Sequence, residues 1–528
     1  MQTVTKTKTG AQIIIQTLNK LGIDTIFGYP GGIILNLYDE LSKQQDIKHY
    51  LMRHEQSACH SAEGYAKVSG KCGVVLVTSG PGATNIVTGL ANAYHDGTPI
   101  IAITGQVSSE LLNKNSFQEV NIIDITRSCT KAGFQIKHAN DISKTFTDAY
   151  KLAMSDRKGP VVVDITKNVF SELAEMSNIE GSLDLSKESY DEKDIIKVAL
   201  SIKNSMKPVI IAGQGASVED VKNISHKMDI PVVNTLMSNY PIDDCNNIGM
   251  VGIFGMASAN RAIIESDLVI AIGTRLNDRI TCCFNQEELY EKLIRIDINK
   301  STLIGAKLGI AGHSEYILKI LNSYLKEKKY TSWIDYLKKI PDNLPLKRTN
   351  KLHSFEVMEE IKNYFGANLP LIATEVGQHQ VWAVRYLKNG SNFITSGGLG
   401  TMGFGLPAAI GASIANGYTP IMCVSGDGSF QMNMQELAVC VDYKIPVKIL
   451  IMNNSYLGMV RQYQENSCNG RYFATKISSP DFIKLAESYG IKGFRIDKLS
   501  DVKNVIDKAF STNGPVIIDC RVEEMELL

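Results

Sequence analysis

The run IMCVSGDGSF, residues 421 to 430, ends an apolar stretch on a single carboxylate, Asp427, set between Gly426 and Gly428. After a helical pattern, SFQMNMQELAVCVDY, a second apolar run, PVKILIM, ends on Asn453 and Asn454. Together these read as one βαβ unit, in which the strands are parallel and their C-terminal ends lie side by side. A carboxylate and an amide oxygen brought together there suit a hard divalent cation, with a nearby backbone carbonyl and two phosphate oxygens completing most of the octahedral set of Mg2+. Gly426 and Gly428 admit backbone close to phosphate, and the amides of Gly428 and Ser429 at the helix start add partial positive charge. The chemistry indicated is a metal-held diphosphate. On residue types alone, Asp427 serves equally as a helix cap followed by an unrelated Asn-Asn turn.

Such a clamp needs parallel sheets to carry it. The 528 residues, 44% of them hydrophobic, are enough for about three domains with cores of their own. GVVLVTSGPGATNIVTGLANAYHDGTPIIAITG (73 to 105) reads strand, turn, helix, strand. PVIIAGQGAS, DLVIAIGTRL and LIRIDIN repeat that logic between residues 208 and 299, and a third such segment begins near 353. The expected fold class is therefore α/β, with three doubly wound parallel-sheet domains. Polar stretches at 171 to 194 and 326 to 351 read as linkers. VVLVTSGPGATN and IMCVSGDGSF hint that the first and third domains are related.

Lys plus Arg and Asp plus Glu each total 55, so no basic field attracts nucleic acid or anionic lipid. The start has no long apolar core or cleavage site, and no run approaches the ~18 apolar residues of a membrane span. A cytoplasmic protein is expected. Ten cysteines without a CxxC, Cys282 and Cys283 being the only close pair, read as reduced packing thiols.

The GDG and NN pair resembles the metal signature of thiamine diphosphate enzymes, and RHEQ followed by AEGYA (within 51 to 66) resembles their activating-glutamate segment. The likeness extends over nearly the whole chain to acetolactate synthase (acetohydroxyacid synthase) catalytic subunits. FGYPGG (27 to 32), TSGPGATN (78 to 85), SFQE (116 to 119), TRSCTK (126 to 131), GPVVVDITK (159 to 167), RLNDRIT (275 to 281), GGLGTMGFGLPAAIGA (397 to 412) and GMVRQYQ (458 to 464) follow the family's order.

The resemblance implies a pyrimidine-binding domain at 1 to 170, a central FAD-type domain at 191 to 328 and a diphosphate- and Mg2+-binding domain at 353 to 528. It assigns Asp427, Asn454 and the carbonyl of Tyr456 to Mg2+, and Glu55 to activation of thiamine diphosphate. Glu63 is the competing carboxylate, and either one, taken alone, reads as an ordinary cap or surface group. Met402 matches the residue that props the bent cofactor, while Gln378, His379, Gly400, Gly458 and Met459 fall on its diphosphate side. Gly31, Phe117, Gln118 and Lys167 line the cleft. Gly213 and Arg275 belong to segments resembling FAD-binding turns. Arg275 could equally meet a substrate carboxylate or pair with Asp278 on the surface.

The implied reaction decarboxylates pyruvate and transfers the two-carbon unit to a second 2-keto acid, at sites shared between chains of a homodimer or homotetramer. Four departures stand out. Tyr463 replaces the usual tryptophan, Ile253 and Phe254 alter a neighbouring turn, AGHSE (311 to 315) lacks the usual acid in the flavin region, and no covering arm of the family's kind is expected after CRVEEMELL. These leave open a wider mouth and a larger acceptor, such as a nucleotide-linked keto sugar. A non-catalytic paralogue is the reading from a different class.

Overall fold

The computed structural model describes residues 7–177, 190–326, 328–342 and 348–528. Short β-branched runs bounded by glycine or proline form its strands. Gly73–Val77, Ile100–Gln106 and Pro160–Thr166 are buried at every residue, as central strands covered on both faces must be. With Lys48–Leu51, Thr25–Tyr29 and Ala132–Ile136 they make a six-stranded sheet whose pairings are all parallel. A second six-stranded parallel sheet runs Asn247–Met250, Val232–Asn234, Pro208–Ala212, Leu268–Ile272, Leu293–Asp297, Leu308–Ala311. The third holds Phe393–Ile394, Ile372–Thr374, Ile421–Gly426, Val447–Asn453, Val516–Arg521 and Lys492–Ile496, parallel from Ile372–Thr374 onward.

Numbered by chain position within each sheet, the first and third share the order 2-1-3-4-6-5, and the second reads 3-2-1-4-5-6. The shared order extends the short sequence likeness between the first and third segments to their whole topology. In each sheet the order reverses beside its first strand, and the crevice at such a reversal is where α/β sheets receive ligands.

The described residues of 1–184, 349–383 and 394–526 form one compact unit, which carries the first and third sheets; those of 185–348 and 384–393 form another, around the second. Within the larger unit, helix Glu55–Ser69 crosses helix Gly405–Ala415. Both are rich in small residues and are buried almost throughout, from Ser57 to Ala66 and from Gly405 to Ser413. A Cβ on Gly64 would overlap the Ala408 carbonyl and one on Gly411 would overlap that of Ser61, so the backbones touch directly. Ser61 Oγ donates to Pro407 O at 2.8 Å, and the buried Lys67 ammonium is held by Asp96 at 2.8 Å and Glu63 at 3.6 Å.

Two sequence expectations change. The helix expected at 429 to 443 breaks into Asp427–Asn433, a 3-10 turn Met434–Glu436 and Leu437–Asp442. Asn433 causes this: its side chain donates to Gly403 O at 2.7 Å and accepts from Ser57 Oγ at 2.9 Å, a tertiary role outranking helix continuity. The stretch 326 to 351 is not wholly linker, because helix Thr331–Lys338 buries Trp333, Ile334 and Leu337 in the core of the second sheet's unit. Much of the other expected linker, 178 to 189, lies outside the described residues. Among the described residues no helix is long and apolar enough to cross a membrane, and all ten cysteines are free.

Backbone cannot yield as a flexible side chain does, so Gly411→Ala should destabilise the larger unit by about 3 kcal/mol or more. Gly32→Ala, where an added Cβ meets nothing within 4 Å, should stay within about 0.5 kcal/mol of the parent. Equal denaturation midpoints for the two variants would refute the close crossing.

Candidate active site

In the third sheet Gly426 pairs with Met452, so Asp427 and Asn454 leave neighbouring strand ends together. Gly426, not Asp427, occupies the N-cap of helix Asp427–Asn433. The Asp427 carboxylate turns across the crevice instead, accepting from Ser455 N at 2.9 Å and Ser479 Oγ at 3.3 Å. Capping is thus not its task. It is 1% exposed, and burial pushes its pKa up to about 6 despite these neutral donors. A carboxylate so placed fits a cation. Asn454 Oδ1 accepts from Tyr456 N at 3.0 Å, which fixes the turn carrying the Tyr456 carbonyl. Ser455 holds φ +59°, unusual for a residue with a side chain and localised at this turn.

The floor of the crevice is equally specific. A Cβ on Gly458 would overlap Gln378 Oε1 and lie 2.9 Å from Asn454 Nδ2. Gln378 Nε2 donates to Gln462 Oε1 and to Glu526 O, each at 2.9 Å, so residues near the chain end pack beside this floor. The His379 ring lies 3.0 Å from the Cβ position of Gly426; its Nε2 is buried without a hydrogen-bond partner, 3.3 Å from Glu375 Oε1. Glu375 is fully buried and accepts from Gly405 N at 2.6 Å and from Ser425 Oγ. The Met402 methyl comes within 3.9 Å of the Gly428 Cβ position, with Leu457 and Ile477 closer, giving an apolar lip. Gly400 adopts φ +76° against Val376, and Ser429 is buried at the helix start. Met459 is half-buried on helix Gly458–Ser467.

The first sheet supplies a second set. Glu55 opens helix Glu55–Ser69, capped by His54 Nδ1 accepting from Gln56 N at 3.1 Å. Its Oε2 accepts from Asn85 Nδ2 at 2.9 Å and its Oε1 lies 3.6 Å from the Gly82 Cβ position. Gly31 abuts Thr78 at 2.5 Å and Gly80 abuts Gln118 at 2.9 Å, again measured to an added Cβ. Thr78 Oγ1 and Ser79 Oγ are buried without hydrogen-bond partners. Phe117 is 87% exposed, Gln118 has φ +59°, and Lys167 is exposed where strand Pro160–Thr166 ends. Glu63 is excluded from this face. It is buried in the helix crossing, accepting from Asn92 Nδ2 at 2.8 Å.

In the second sheet the order reverses between Pro208–Ala212 and Leu268–Ile272. There a Cβ on Gly213 would overlap Gly273 O, so the two glycine turns close on each other. Ser314, in the segment lacking an acid, bridges the turn by donating to Gly215 O at 2.7 Å and accepting from Ser217 N at 2.9 Å. Arg275 is exposed, and its carbonyl accepts from Arg295 Nη2 at 2.6 Å.

Comparison with known proteins places these features. Residues 8–125 match the thiamine pyrophosphate enzyme N-terminal TPP binding domain, 195–321 the central domain and 375–520 the C-terminal TPP binding domain. An acetolactate synthase large subunit of Cyanidium caldarium is 40% identical, over 98% of this chain and 94% of its own. Those of Lactococcus lactis and Haemophilus influenzae are 38% and 37% identical over 99% of this chain, and over 94% and 96% of their own. The chain belongs to the acetolactate synthase large subunit family of thiamine pyrophosphate enzymes.

Two positioning groups of this family member escape a reading of its sequence. Glu375 stands one turn before His379, a spacing that could have flagged it. Glu436 leaves no such mark, because its role exists only across sheets: its Oε2 accepts from Arg53 N at 3.1 Å, bracing the turn that leads into Glu55. Tyr463, the departure on helix Gly458–Ser467, is 42% exposed.

Burial raises Glu436 to about 7. Between the ordinary value of 4.5 and about 7 the folded chain holds a proton that the unfolded chain releases, so this group's contribution to stability is full below that window and is lost as pH rises through about 7. Glu436→Gln removes the titration, and its stability relative to the parent should climb between about pH 5 and 8 in urea unfolding. A pH-independent difference would show that ionising this carboxylate costs nothing.

Proposed function

We propose that this protein decarboxylates pyruvate and transfers the two-carbon unit to a second 2-keto acid, with thiamine diphosphate and Mg2+ bound across the two residue sets just described. The observation that carries the reading is Asp427: a buried carboxylate with only neutral donors, at adjoining parallel strand ends, beside a floor where the bare Gly458 lets Gln378 and Asn454 pack close. Thr78 Oγ1, buried without a hydrogen-bond partner, and His379, whose Nε2 has only the Glu375 carboxylate beside it at 3.3 Å, fit a polar ligand on each side. The first sheet then corresponds to the pyrimidine-binding domain (1 to 170), the second to the central domain (191 to 328) and the third to the diphosphate domain (353 to 528).

Asp427, Asn454 and the Tyr456 carbonyl would hold Mg2+, and Gln378 and His379 would face the diphosphate. Bound thiamine diphosphate supplies an electron sink for the two-carbon fragment released from the keto acid. Glu55 holds or shares a proton at its carboxylate, steered by Asn85. Met402 keeps water from one wall. Gly31, Phe117 and Gln118 shape the space for the keto acids, and Lys167 offers a cation to their carboxylates. Identity near 40% to acetolactate synthases over almost the full chain favours a 2-keto acid acceptor over a keto sugar, and the Glu55 and Asp427 sets favour catalysis over a binding-only role.

Glu55→Gln should lower acetolactate formation at least about 100-fold while thiamine diphosphate still binds, as measured by calorimetry. An undiminished rate would end this assignment. The site we propose is shared between two chains, since Glu55 and Asp427 stand on different sheets and Phe117 is bare to solvent. Mixing inactive Glu55→Gln and Asp427→Ala proteins, with subunit exchange, should restore about a quarter of parent activity, because half the dimers are mixed and each has one intact site. No recovery would place the site within one chain.

For FAD the support is topological: the order 3-2-1-4-5-6 with glycine turns at its reversal, and Arg275 exposed beside it. No step of the reaction is assigned to it. Protein that shows no flavin absorbance after incubation with FAD would remove it from the cofactor set.

A further inference from the structure

The second sheet's unit carries three potential ligands that the carboligase reading does not use. His226 lies in the last turn of helix Val218–Met228, and Asp244 and Cys245 lie on the loop that follows strand Val232–Asn234. His226 Nε2 is 3.0 Å from Asp244 Oδ1, 3.1 Å from Oδ2 and 3.8 Å from Cys245 Sγ. One ligand atom from each residue lies within 4.8 Å of the other two.

These separations suit a metal better than a proton relay. A Cys-His-Asp relay uses opposite ring nitrogens of histidine, one toward the thiol and one toward the carboxylate. Here both partners face the same nitrogen. Tetrahedral Zn2+, with bonds of about 2.0–2.1 Å to nitrogen, 2.0–2.2 Å to oxygen and 2.3 Å to sulfur, sets N···O near 3.3 Å and N···S near 3.6 Å. The observed N···O distances, 3.0 and 3.1 Å, are shorter than the first and the N···S distance, 3.8 Å, is longer than the second, each by a few tenths of an ångström.

The carboxylate is also oriented from behind. Tyr240 OH and Asn246 N each donate to Asp244 Oδ1 at 3.0 Å, so both carboxylate oxygens are held close to His226 Nε2 and Oδ2, without those two donors, is the one left for an ion. Asn246 Nδ2 in turn donates to Ser225 O at 3.1 Å and to Ser225 Oγ at 3.0 Å, tying the loop to the residue before His226. Such outer support is what fixes metal ligands in place. Lys222, one turn before His226, sits 3.6 Å from Oδ2 as a resident counter-charge on a long, partly exposed side chain that can swing away.

We propose that His226 Nε2, Asp244 Oδ2 and Cys245 Sγ bind a thiophilic divalent cation of the Zn2+ class, with a fourth position open to water. The mixed N/O/S set discriminates against Mg2+, which prefers oxygen. The ion clips helix Val218–Met228 to the loop, and the site shares no residue with the proposed active site.

The test uses the full chain, freed of metal and then saturated with thiamine diphosphate and Mg2+, titrated with Co2+. One equivalent should bind with a thiolate-to-cobalt charge-transfer band that Zn2+ abolishes, since cobalt at an all-oxygen site gives no such band. Cys245→Ser should eliminate the band, His226→Ala should weaken binding on the order of 100-fold, and the Cys282→Ser/Cys283→Ser double variant should leave both unchanged. A titration without the band, or a band that survives Cys245→Ser, overturns the proposal.

Discussion

Everything in the larger unit depends on two helices whose backbones touch. Gly64 and Gly411 let Glu55–Ser69 and Gly405–Ala415 approach until carbonyl oxygens occupy the space of absent side chains. The charges trapped beside the crossing offset one another: Lys67 lies 2.8 Å from Asp96 and 3.6 Å from Glu63, and Glu63 accepts from Asn92. Removing one member of such a group would leave a buried charge without its counter-ion. The helix that packs here by its middle carries Glu55 at its start, so packing and the placement of that carboxylate are one constraint.

The three sheets apply a common rule to different ends. Each reverses its strand order beside its first strand, and the segments leaving the two strands at that point fall against each other: Gly31 on Thr78, Gly213 on Gly273, and His379 on Gly426. In the first and third sheets the reversal keeps buried polar atoms without hydrogen bonds, Thr78 Oγ1 and, beside the Glu375 carboxylate, His379 Nε2. In the second, glycine turns and the Ser314 hydroxyl satisfy one another. A crevice that leaves buried polar atoms unpaired costs stability unless a ligand supplies the missing bonds.

Bracing across sheets completes the arrangement. Glu436, in a 3-10 turn of the third sheet's layer, accepts the Arg53 amide just before Glu55. Asn433 breaks its own helix to hold Ser57 and Gly403. Both side chains sit where the local helix is interrupted, and both reach to the segment around Glu55.

Sequence alone determined the α/β class, the strand ends that carry Asp427 and Asn454, the helix that begins at Glu55, and the family, because these follow from apolar periodicity, turn chemistry and short motifs that act locally. It left Glu55 and Glu63 as rivals, since both are carboxylates on one helix and only the neighbour of each face tells them apart; packing buried Glu63 and left Glu55 facing the crevice. It read 326 to 351 as linker because that stretch is polar on average, whereas burial of Trp333 and Leu337 depends on a core assembled from distant strands. The roles of Glu375 and Glu436, the bare Nε2 of His379, and the meeting of His226 with Asp244 and Cys245 were decided by tertiary structure alone. Each is a contact between chain segments that no local pattern encodes, made when folding brings strand ends and loops to the same place.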